Sequence, residues 1–255
     1  MYRSPIFGPV HSRRLGVSLG INLMPGDGKV CTFDCLYCEC GFNKDHIPHG
    51  RRPTREEVRA ALEGVLGQRL ADGEPLDCIT FSGNGEPTAH PEFPGIIADT
   101  MRLRDRYFPK AKVSVLSNAT FVGREEVRQA LMAVDNNIQK LDTVSAAYIN
   151  KVDRPQQPSY SVGEVIRNLK LFNGRLVIQT MFMRGTAGGE SVDNTGDEYV
   201  VPWLEAIREI APRQVMIYTI DRATPEHGLR KAEPELLDAI KARVERLGIE
   251  CTASY

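Results

Sequence analysis

Residues 17–38 read VSLGINLMPGDGKVCTFDCLYC. The run 17–24 is mostly apolar, as expected of a strand that is covered on both faces. A short loop follows, and it ends in three closely spaced cysteines, Cys31, Cys35 and Cys38. Because ligands bind outside the carboxyl edge of parallel strands, this stretch predicts a strand followed by a loop that forms a site.

Similar strand-like runs alternate with amphipathic helical patterns along nearly the whole chain. Such alternation is typical of repeated β/α units that build a parallel sheet. The candidate strands are residues 17–24, 77–82, 112–117, 137–142, 176–182, 214–220 and 250–253. The units number roughly six, fewer than the eight of a closed barrel. We therefore expect an α/β fold, an open partial (β/α)6 barrel, in which residues 1–255 form a single domain.

Apolar stripes and capping sequences predict the helices. Thr54 and Glu57 form a capping-box pattern at the start of the first helix, and Pro234 opens the last one. The stripes place helices near residues 58–66, 127–134, 165–172, 200–210 and 237–247.

The composition is that of an ordinary globular protein, with 42% hydrophobic and 25% charged residues. Its 32 basic and 33 acidic side chains give a formal net charge of -1, so no general attraction to nucleic acid or anionic membranes is expected. No apolar run approaches the roughly 20 residues that span a bilayer, and no signal-peptide pattern is present. We expect a cytoplasmic protein without membrane contact.

The six cysteines fall into two groups. Three share the stretch 31–38, and this clustering favours metal or cluster ligation over disulfides. Cys40, Cys78 and Cys251 are dispersed and receive no assigned chemistry. Cys78 lies in an apolar strand-like run, where a buried thiol is expected.

Three thiolates from one loop suit two kinds of metal centre. An iron-sulfur cluster with four irons and three cysteine ligands keeps one iron open for an exogenous group. Alternatively, Cys40, His46 or His49 supplies a fourth ligand and the loop holds zinc. The spacing favours the cluster, with zinc as the alternative.

The pattern Cys-x-x-x-Cys-x-x-Cys, with Tyr37 directly before the last cysteine, resembles the hallmark of the radical S-adenosylmethionine (SAM) superfamily. The resemblance implies an open partial barrel of radical SAM type and a 4Fe-4S cluster on Cys31, Cys35 and Cys38. It also implies that SAM is the cofactor and that its amino and carboxylate groups bind the fourth iron.

A second element, Ser82-Gly83-Asn84-Gly85-Glu86-Pro87, follows the next predicted strand. It resembles the Gly-Gly-Glu motif of the same family, which receives the methionine amino group of SAM. The residue types suit that role, because glycines let backbone carbonyls approach a ligand and a carboxylate pairs with an ammonium group. A plain glycine-rich turn is the alternative. Since zinc requires no such turn, the two elements together favour the cluster.

Polar residues also end the later predicted strands. The resemblance implies that such residues hold the ribose, carboxylate and adenine of SAM, with Ser117, Asn118 and Asp142 the best choices for ribose or carboxylate. The candidates at these strand ends are Ser117, Asn118, Lys140, Asp142, Gln179 and Tyr218. Tyr37 of the cysteine motif is a further candidate for binding the cofactor. Lys140 and Asp142 face the same side of their strand, and a buried salt bridge between them is the competing interpretation.

Residues 7–16, the glycine-rich turn and the strand around Lys140 together resemble a narrower group of radical SAM proteins related to wyosine-base synthetases. This resemblance covers most of the chain. Wyosine-type enzymes carry an additional cluster, but no second cysteine cluster precedes Cys31 here, which weakens the expectation of a tRNA substrate. Arg13 and Arg14 lie in the same stretch and are candidates for binding a carboxylate or phosphate, or plain surface residues.

A cluster of arginines offers a second argument about nucleic acid. Its members are Arg51, Arg52, Arg55 and Arg59. Three glutamates within residues 56–63 offset their charge, so we expect a solvated helix face. A nucleic-acid partner is not supported by net charge.

These features predict a radical SAM enzyme. An external electron donor such as flavodoxin or ferredoxin would reduce the cluster, SAM would be cleaved, and a 5'-deoxyadenosyl radical would abstract hydrogen from a substrate. The substrate is either a small molecule or nucleobase, as in tRNA-base modification, or a protein such as a glycyl-radical enzyme. A polar loop over residues 184–196 is a candidate lid. A zinc-binding interaction module is the alternative that is not an enzyme.

Overall fold

Strands and helices follow one another in the order that the apolar pattern predicts. The computed structural model describes residues 1–12 and 16–255. Arg13 and Arg14, the candidate anion-binding residues, lie outside the described residues.

The described chain contains all seven predicted strands and all five predicted helices. The strands are β1 (Ile6–Ser12), β2 (Gly16–Ile21), β3 (Cys78–Phe81), β4 (Lys112–Ser117), β5 (Asn136–Lys140), β6 (Val177–Met181), β7 (Met183–Ala187), β8 (Glu190–Ser191), β9 (Gln214–Tyr218), β10 (Leu229–Lys231) and β11 (Glu250–Ser254). The helices are α1 (Arg55–Ala71), α2 (Phe93–Tyr107), α3 (Glu125–Ala133), α4 (Ala146–Val152), α5 (Val162–Lys170), α6 (Asp197–Ile210) and α7 (Pro234–Glu245).

Six elements were not predicted: β1, β7, β8, β10, α2 and α4. Helix α2 begins with Phe93-Pro94-Gly95, and proline and glycine both weaken a helical signal. Strand β1 contains Gly8 and Pro9, which are depleted in strands. Helix α4 and the remaining strands are short, so their periodicity is weak.

The chain folds into two compact units. The first comprises Met1–Cys31, Asn43–Ser117 and Gly123–Asn137. The second comprises Thr32–Phe42, Asn118–Val122 and Ile138–Tyr255.

The first unit is built on β1 to β4. β1 pairs antiparallel with β2, and β2, β3 and β4 run parallel. Every residue of β3 is buried, and the thiol of Cys78 is buried as expected. Helices α1 and α2 pack together, and α1 buries Val58, Leu62 and Leu66. Full burial of a side chain of this kind contributes about 1.5–3 kcal/mol.

Helix α1 begins at the predicted capping box. The side chain of Thr54 accepts a hydrogen bond from the backbone N–H of Glu57 at 3.3 Å, and the Glu57 carboxylate accepts one from the Thr54 N–H at 2.7 Å. Arg51 donates two hydrogen bonds to Glu57, each 2.6 Å long. This guanidinium and the Thr54 N–H lower the pKa of Glu57 to about 2.

Two other members of the arginine cluster also pair with carboxylates. Arg55 forms an ion pair with Asp99 at 2.6 Å, and Arg59 forms one with Glu56 at the same distance. The glutamates and Asp99 therefore balance much of the positive charge of this helix.

The second unit is built on residues 138–140 of β5 and on β6, β9 and β11, which pair in that order and run parallel. Helix α7 packs on β9 and β11, and α5 packs on α6. Trp203 of α6 is fully buried and meets the ring of Phe182 edge to face, with 5.3 Å between the ring centroids. Its indole N–H donates to the carbonyl of Leu141 at 3.0 Å, which ties α6 to the residue that follows β5.

A small antiparallel sheet also belongs to the second unit. β7 pairs with both β8 and β10. Residues 184–196, expected to form a polar loop, therefore begin with a β-hairpin instead. Gly185 has a φ of +111°, and a Cβ built there would lie 2.2 Å from the carbonyl oxygen of Gly228. The close approach of β7 to β10 thus requires glycine at this position.

The described residues form an α/β fold with a mainly parallel sheet, as predicted. In neither unit do the described strands close on themselves. Among the described helices, none combines the length and the apolar character that crossing a bilayer would need.

Candidate functional site

In the first unit, backbone hydrogen bonds join the two sequence motifs. The N–H of Val30 donates to the carbonyl of Asn84 at 3.0 Å, and the N–H of Glu86 donates to the carbonyl of Val30 at 3.2 Å. Val30 and Gly85 thereby form a parallel bridge. The residue directly before Cys31 is therefore held against the glycine-rich turn.

Glycine is required in this turn because of its backbone conformation. Gly83 and Gly85 have φ values of +119° and +143°. A Cβ on Gly85 would lie 1.9 Å from the carbonyl oxygen of Val30, and one on Gly83 would lie 2.8 Å from Oδ1 of Asn22. The pairing with Val30 is thus possible only without a side chain at position 85.

Asn84 points into the protein. Its side chain is fully buried, and its amide donates to the carbonyls of Tyr2 and Pro25, each at 2.9 Å. Its Oδ1 accepts from the N–H of Tyr2 at 2.9 Å. These bonds give Asn84 a role in holding the chain around Tyr2 and Pro25.

Glu86 is a buried carboxylate at the end of the same turn. The residue is 2% exposed. Its side chain caps a short 3-10 helix, where Oε1 accepts from the backbone N–H of Thr88 at 3.0 Å and from the Thr88 hydroxyl. Ser117, another predicted cofactor contact of this unit, is also buried. A buried carboxylate of this kind suits a cationic ligand group.

In the second unit, Cys35 and Cys38 lie at the two ends of a tight turn. The N–H of Cys38 donates to the carbonyl of Cys35 at 3.2 Å. Both cysteines are partly exposed, whereas Leu36 between them is buried. We call residues 35–38 the cysteine turn.

The cysteine turn and the residues before it pair with the end of α4. The N–H of Leu36 donates to the carbonyl of Val152 at 2.9 Å, and the N–H of Asp34 donates to the carbonyl of Asp153 at 3.0 Å. Asp34 also pairs with the guanidinium of Arg154. This loop is therefore a paired segment, with backbone partners more than 100 residues away in sequence.

Four side chains form a buried charged group beside the turn, and we call Tyr37, Lys140, Asp142 and Asp153 the quartet. The ammonium of Lys140 donates to the Tyr37 hydroxyl, to Oδ2 of Asp142, and to Oδ1 of Asp153 at 2.8 Å. The Tyr37 hydroxyl in turn donates to Asp142. The side chains of Asp142 and Asp153 are 1% and 3% exposed. Lys140 and Asp142 thus form a buried salt bridge, which was the competing interpretation of their placement on one side of the strand.

Burial and charge act in opposite directions on the quartet. Burial by itself would lower the pKa of Lys140, but the carboxylates of Asp142 and Asp153 raise it well above its usual value. Burial raises the pKa of Asp153 to about 6, although Lys140 opposes this effect. Burial and then the charge of Asp142 raise the pKa of Tyr37. Lys140 is therefore a cation and Tyr37 a neutral phenol at pH 7.

The other predicted contacts of the second unit lie at three places. The Asn118 amide donates to the Thr32 hydroxyl at 2.8 Å, and its Oδ1 accepts from Thr120. Gln179 is partly exposed and stands opposite Lys140 in the register of β5 and β6. Tyr218 is partly exposed at the end of β9.

Asp153 was missed by the sequence reasoning. It is the C-cap of α4, a helix too short to show clear periodicity, and no motif marks it. The neighbouring Arg154 has a φ of +51°, and a sequence offers no signal for such a conformation at arginine.

No group of three or more His, Cys, Asp and Glu side chains in the described part of the chain is arranged to hold a metal ion. The six cysteines, all of them described, form no disulfide. The assignment of Cys31, Cys35 and Cys38 to a metal centre therefore stays a prediction.

Comparison with known sequences finds relatives over most of the chain. A UPF0026 protein of Helicobacter pylori is 28% identical over 234 residues, which cover 91% of this chain and 71% of the relative. A UPF0026 protein of Methanocaldococcus jannaschii is 28% identical over 242 residues, which cover 92% of this chain and 70% of the relative. No protein-family model matches the sequence.

Comparison with solved structures identifies the fold. A radical SAM methyltransferase from Sphaerobacter thermophilus matches 93% of this chain with a TM-score of 0.67 and 16% identity. SuiB of Streptococcus suis bound to S-adenosylmethionine matches 92% with a TM-score of 0.64 and 13% identity. TYW1 with a lysine-pyruvate adduct bound matches 90% with a TM-score of 0.62 and 12% identity. This chain spans 66%, 50% and 73% of those three chains.

The chain therefore has the fold of radical SAM enzymes, an α/β fold of the open partial barrel type. This confirms the fold class expected from the alternating strands and helices and from the cysteine motif.

The glycine-rich turn makes a first prediction. Replacing Gly85 with alanine should lower the free energy of unfolding by roughly 2–4 kcal/mol, because the positive φ is strained for alanine and the added Cβ displaces Val30. Urea unfolding followed by circular dichroism measures the change. The control is Gly64→Ala in α1, where a Cβ meets nothing within 4 Å and stability should rise by about 0.5–1 kcal/mol. Equal effects of the two substitutions would contradict the pairing.

The quartet makes a second prediction. Lys140→Met leaves the carboxylates of Asp142 and Asp153 buried without their cation, which should lower the free energy of unfolding by about 3–5 kcal/mol near pH 8. The loss should shrink toward pH 5. A carboxyl group whose folded pKa is raised stabilises the protein while protonated, and this stabilisation is lost as pH rises through that pKa. Without Lys140 the pKa of Asp153 rises above its present value of about 6. The pH range over which the loss of stability grows therefore extends to higher pH.

Urea unfolding at several pH values between 5 and 8 measures this effect. The control is Lys151→Met, which removes a surface pair with Glu190 and should change stability little at any pH. A loss for Lys140→Met that does not depend on pH would show that Asp153 stays ionised throughout.

Proposed function

We propose that this protein is a radical SAM enzyme, which binds a 4Fe-4S cluster on Cys31, Cys35 and Cys38 and cleaves SAM reductively. The observation that carries the proposal is the coincidence of this cysteine spacing with a fold that radical SAM enzymes share over 93% and 92% of the chain. The pairing of Val30 with Gly85, which holds the residue before Cys31 against the glycine-rich turn, adds support.

The residues fit such a cluster in their chemistry. Thiolates are the ligands that iron-sulfur clusters prefer, and Cys31, Cys35 and Cys38 are all partly exposed. When bound, the cluster would supply the electron that breaks a carbon–sulfur bond of the SAM sulfonium, giving methionine and a 5'-deoxyadenosyl radical. An external one-electron donor, flavodoxin or ferredoxin, is part of the proposal.

The glycine-rich turn would bind the methionine end of SAM. Its glycines leave room for a ligand to approach the backbone, and the buried carboxylate of Glu86 would pair with the amino group. Ser117, Asn118, Gln179 and Tyr218 are the candidates for contacts with the ribose, the adenine or the substrate.

Each reductive cleavage would take up one electron and convert one SAM into methionine and the 5'-deoxyadenosyl radical. That radical would take a hydrogen atom from a substrate C–H bond, which would give 5'-deoxyadenosine and a substrate radical. Loss of one cluster ligand should therefore remove both the iron and the nucleoside product.

The test is anaerobic reconstitution with iron and sulfide, followed by reduction in the presence of SAM. The wild-type protein should bind about four irons and four sulfides per chain and release 5'-deoxyadenosine and methionine, which chromatography measures. Cys38→Ser should lose most of the iron and all of the nucleoside product.

Cys78→Ser is the matched control. Cys78 is buried, and its sulfur lies 3.0 Å from the Ser114 hydroxyl and 3.4 Å from the Thr80 hydroxyl, so serine fits there and the iron content should not change. A wild-type protein that binds zinc and takes up no iron and sulfide would overturn the proposal in favour of a zinc module.

A further inference from the structure

Tyr37 connects the cysteine turn to the quartet. It lies between Cys35 and Cys38 in sequence, and its hydroxyl contacts Lys140, Asp142 and Asp153. The distance between the Tyr37 hydroxyl and Asp153 is 3.4 Å. A movement of the turn would therefore break contacts with charged groups.

The carboxylates of the quartet are themselves fixed. Oδ1 of Asp142 accepts a hydrogen bond from the backbone N–H of Met181 at 3.0 Å, which ties Asp142 to the end of β6. Asp153 is held through its backbone, whose N–H donates to Ile149 and whose carbonyl accepts from Asp34. The hydroxyl of Tyr37 thus meets groups that the surrounding fold already holds in place.

The ammonium of Lys140 has its donors in use. A lysine ammonium has three N–H donors, and Lys140 meets three oxygen atoms, one each on Tyr37, Asp142 and Asp153. A ligand carboxylate could bind Lys140 only by displacing one of them. Direct contact of Lys140 with SAM, expected from the sequence, would therefore require a rearrangement of the quartet.

We propose that Lys140, Asp142 and Asp153 are positioning residues that act through the Tyr37 hydroxyl and hold the cysteine turn in its binding conformation before any cofactor is present. Insofar as the turn serves a cluster, the inference rests on the proposed function. Hydrogen bonds with one charged partner are roughly twice as strong as neutral ones. Such bonds reduce the ordering that binding would otherwise require.

The test uses the metal-free, reduced protein under anaerobic conditions. Thiol labelling with a maleimide, read for each cysteine peptide by mass spectrometry, measures how often the turn opens. Tyr37→Phe keeps the ring and removes the hydroxyl, and it should raise the labelling rate of Cys35 and Cys38 by about tenfold or more, the effect of losing a hydrogen bond to a charged group. The buried Cys78 and Cys251 should keep their slow labelling.

Tyr148→Phe is the matched control. Tyr148 is buried in the same unit, and its hydroxyl donates to the carbonyl of Val192 at 2.8 Å. Tyr148→Phe thus also removes the hydrogen bond of a buried tyrosine hydroxyl, but this bond does not involve the cysteine turn. Labelling of Cys35 and Cys38 should therefore stay at the wild-type rate.

Lys140→Met tests whether the charge acts through the hydroxyl. As a single substitution, Lys140→Met should raise the labelling rate of Cys35 and Cys38. Added to Tyr37→Phe, it should change that rate by less than about twofold, because the hydroxyl that connects the turn to Lys140 is already absent. Independent effects that multiply would overturn the inference. If Lys140→Met does not fold, the comparison of Tyr37→Phe with Tyr148→Phe decides the question.

Reconstitution separates this inference from the proposed function. If the wild-type protein takes up the cluster, the Tyr37→Phe variant should contain less iron, and the electron paramagnetic resonance spectrum of its reduced cluster should differ from that of wild type. The Tyr148→Phe variant should match wild type in both respects. If wild type takes up no cluster, the proposed function fails while the labelling result stands. If Tyr37→Phe labels and loads like wild type, the positioning role is overturned.

Discussion

A lysine ammonium surrounded by two carboxylates and a phenol underlies the arrangement of the second unit. Charges of this kind are stable inside a protein only when they are paired and hydrogen-bonded. Lys140 is the last residue of β5, Asp153 lies at the end of α4, and Tyr37 belongs to the cysteine turn. Because their charged and polar groups must pair, these three segments of the chain are held against one another. Leaving one charge without its partner costs about 3–5 kcal/mol, and this cost opposes displacement of any of the three segments.

In the first unit, hydrogen bonds between backbone groups, rather than charged side chains, hold the chain in place. A buried N–H or carbonyl must find a partner, and Val30 finds its partners in Asn84 and Glu86. This pairing brings two backbone segments so close that only glycine fits at Gly85. The side chain of Asn84 also ties the turn to the backbone of Tyr2 and Pro25. The turn is thus shaped by packing as well as suited to a ligand.

Two parts of the cysteine stretch are restrained, each within its own unit. Val30, directly before Cys31, is held by backbone pairing in the first unit, and the cysteine turn is held by charged hydrogen bonds in the second. Order of this kind lowers the entropic cost of binding a cofactor. Some residues that resemble cofactor contacts in sequence therefore have structural partners: Asn84 binds backbone groups, and Lys140 binds Asp142.

The sequence alone determined the fold class, the seven strands that its apolar runs mark, five of the seven described helices, the capping box at Thr54 and the spacing of the cysteines. Those features depend on local propensity and on periodicity, which residues near one another in the chain carry. Tertiary structure decided the quartet, in which Tyr37 and Lys140 are separated by 103 positions, and the pairing of Val30 with Gly85. It also decided that Lys140 faces two carboxylates, because the partner of a buried charge is set by which distant segments pack together, and no local pattern records that choice.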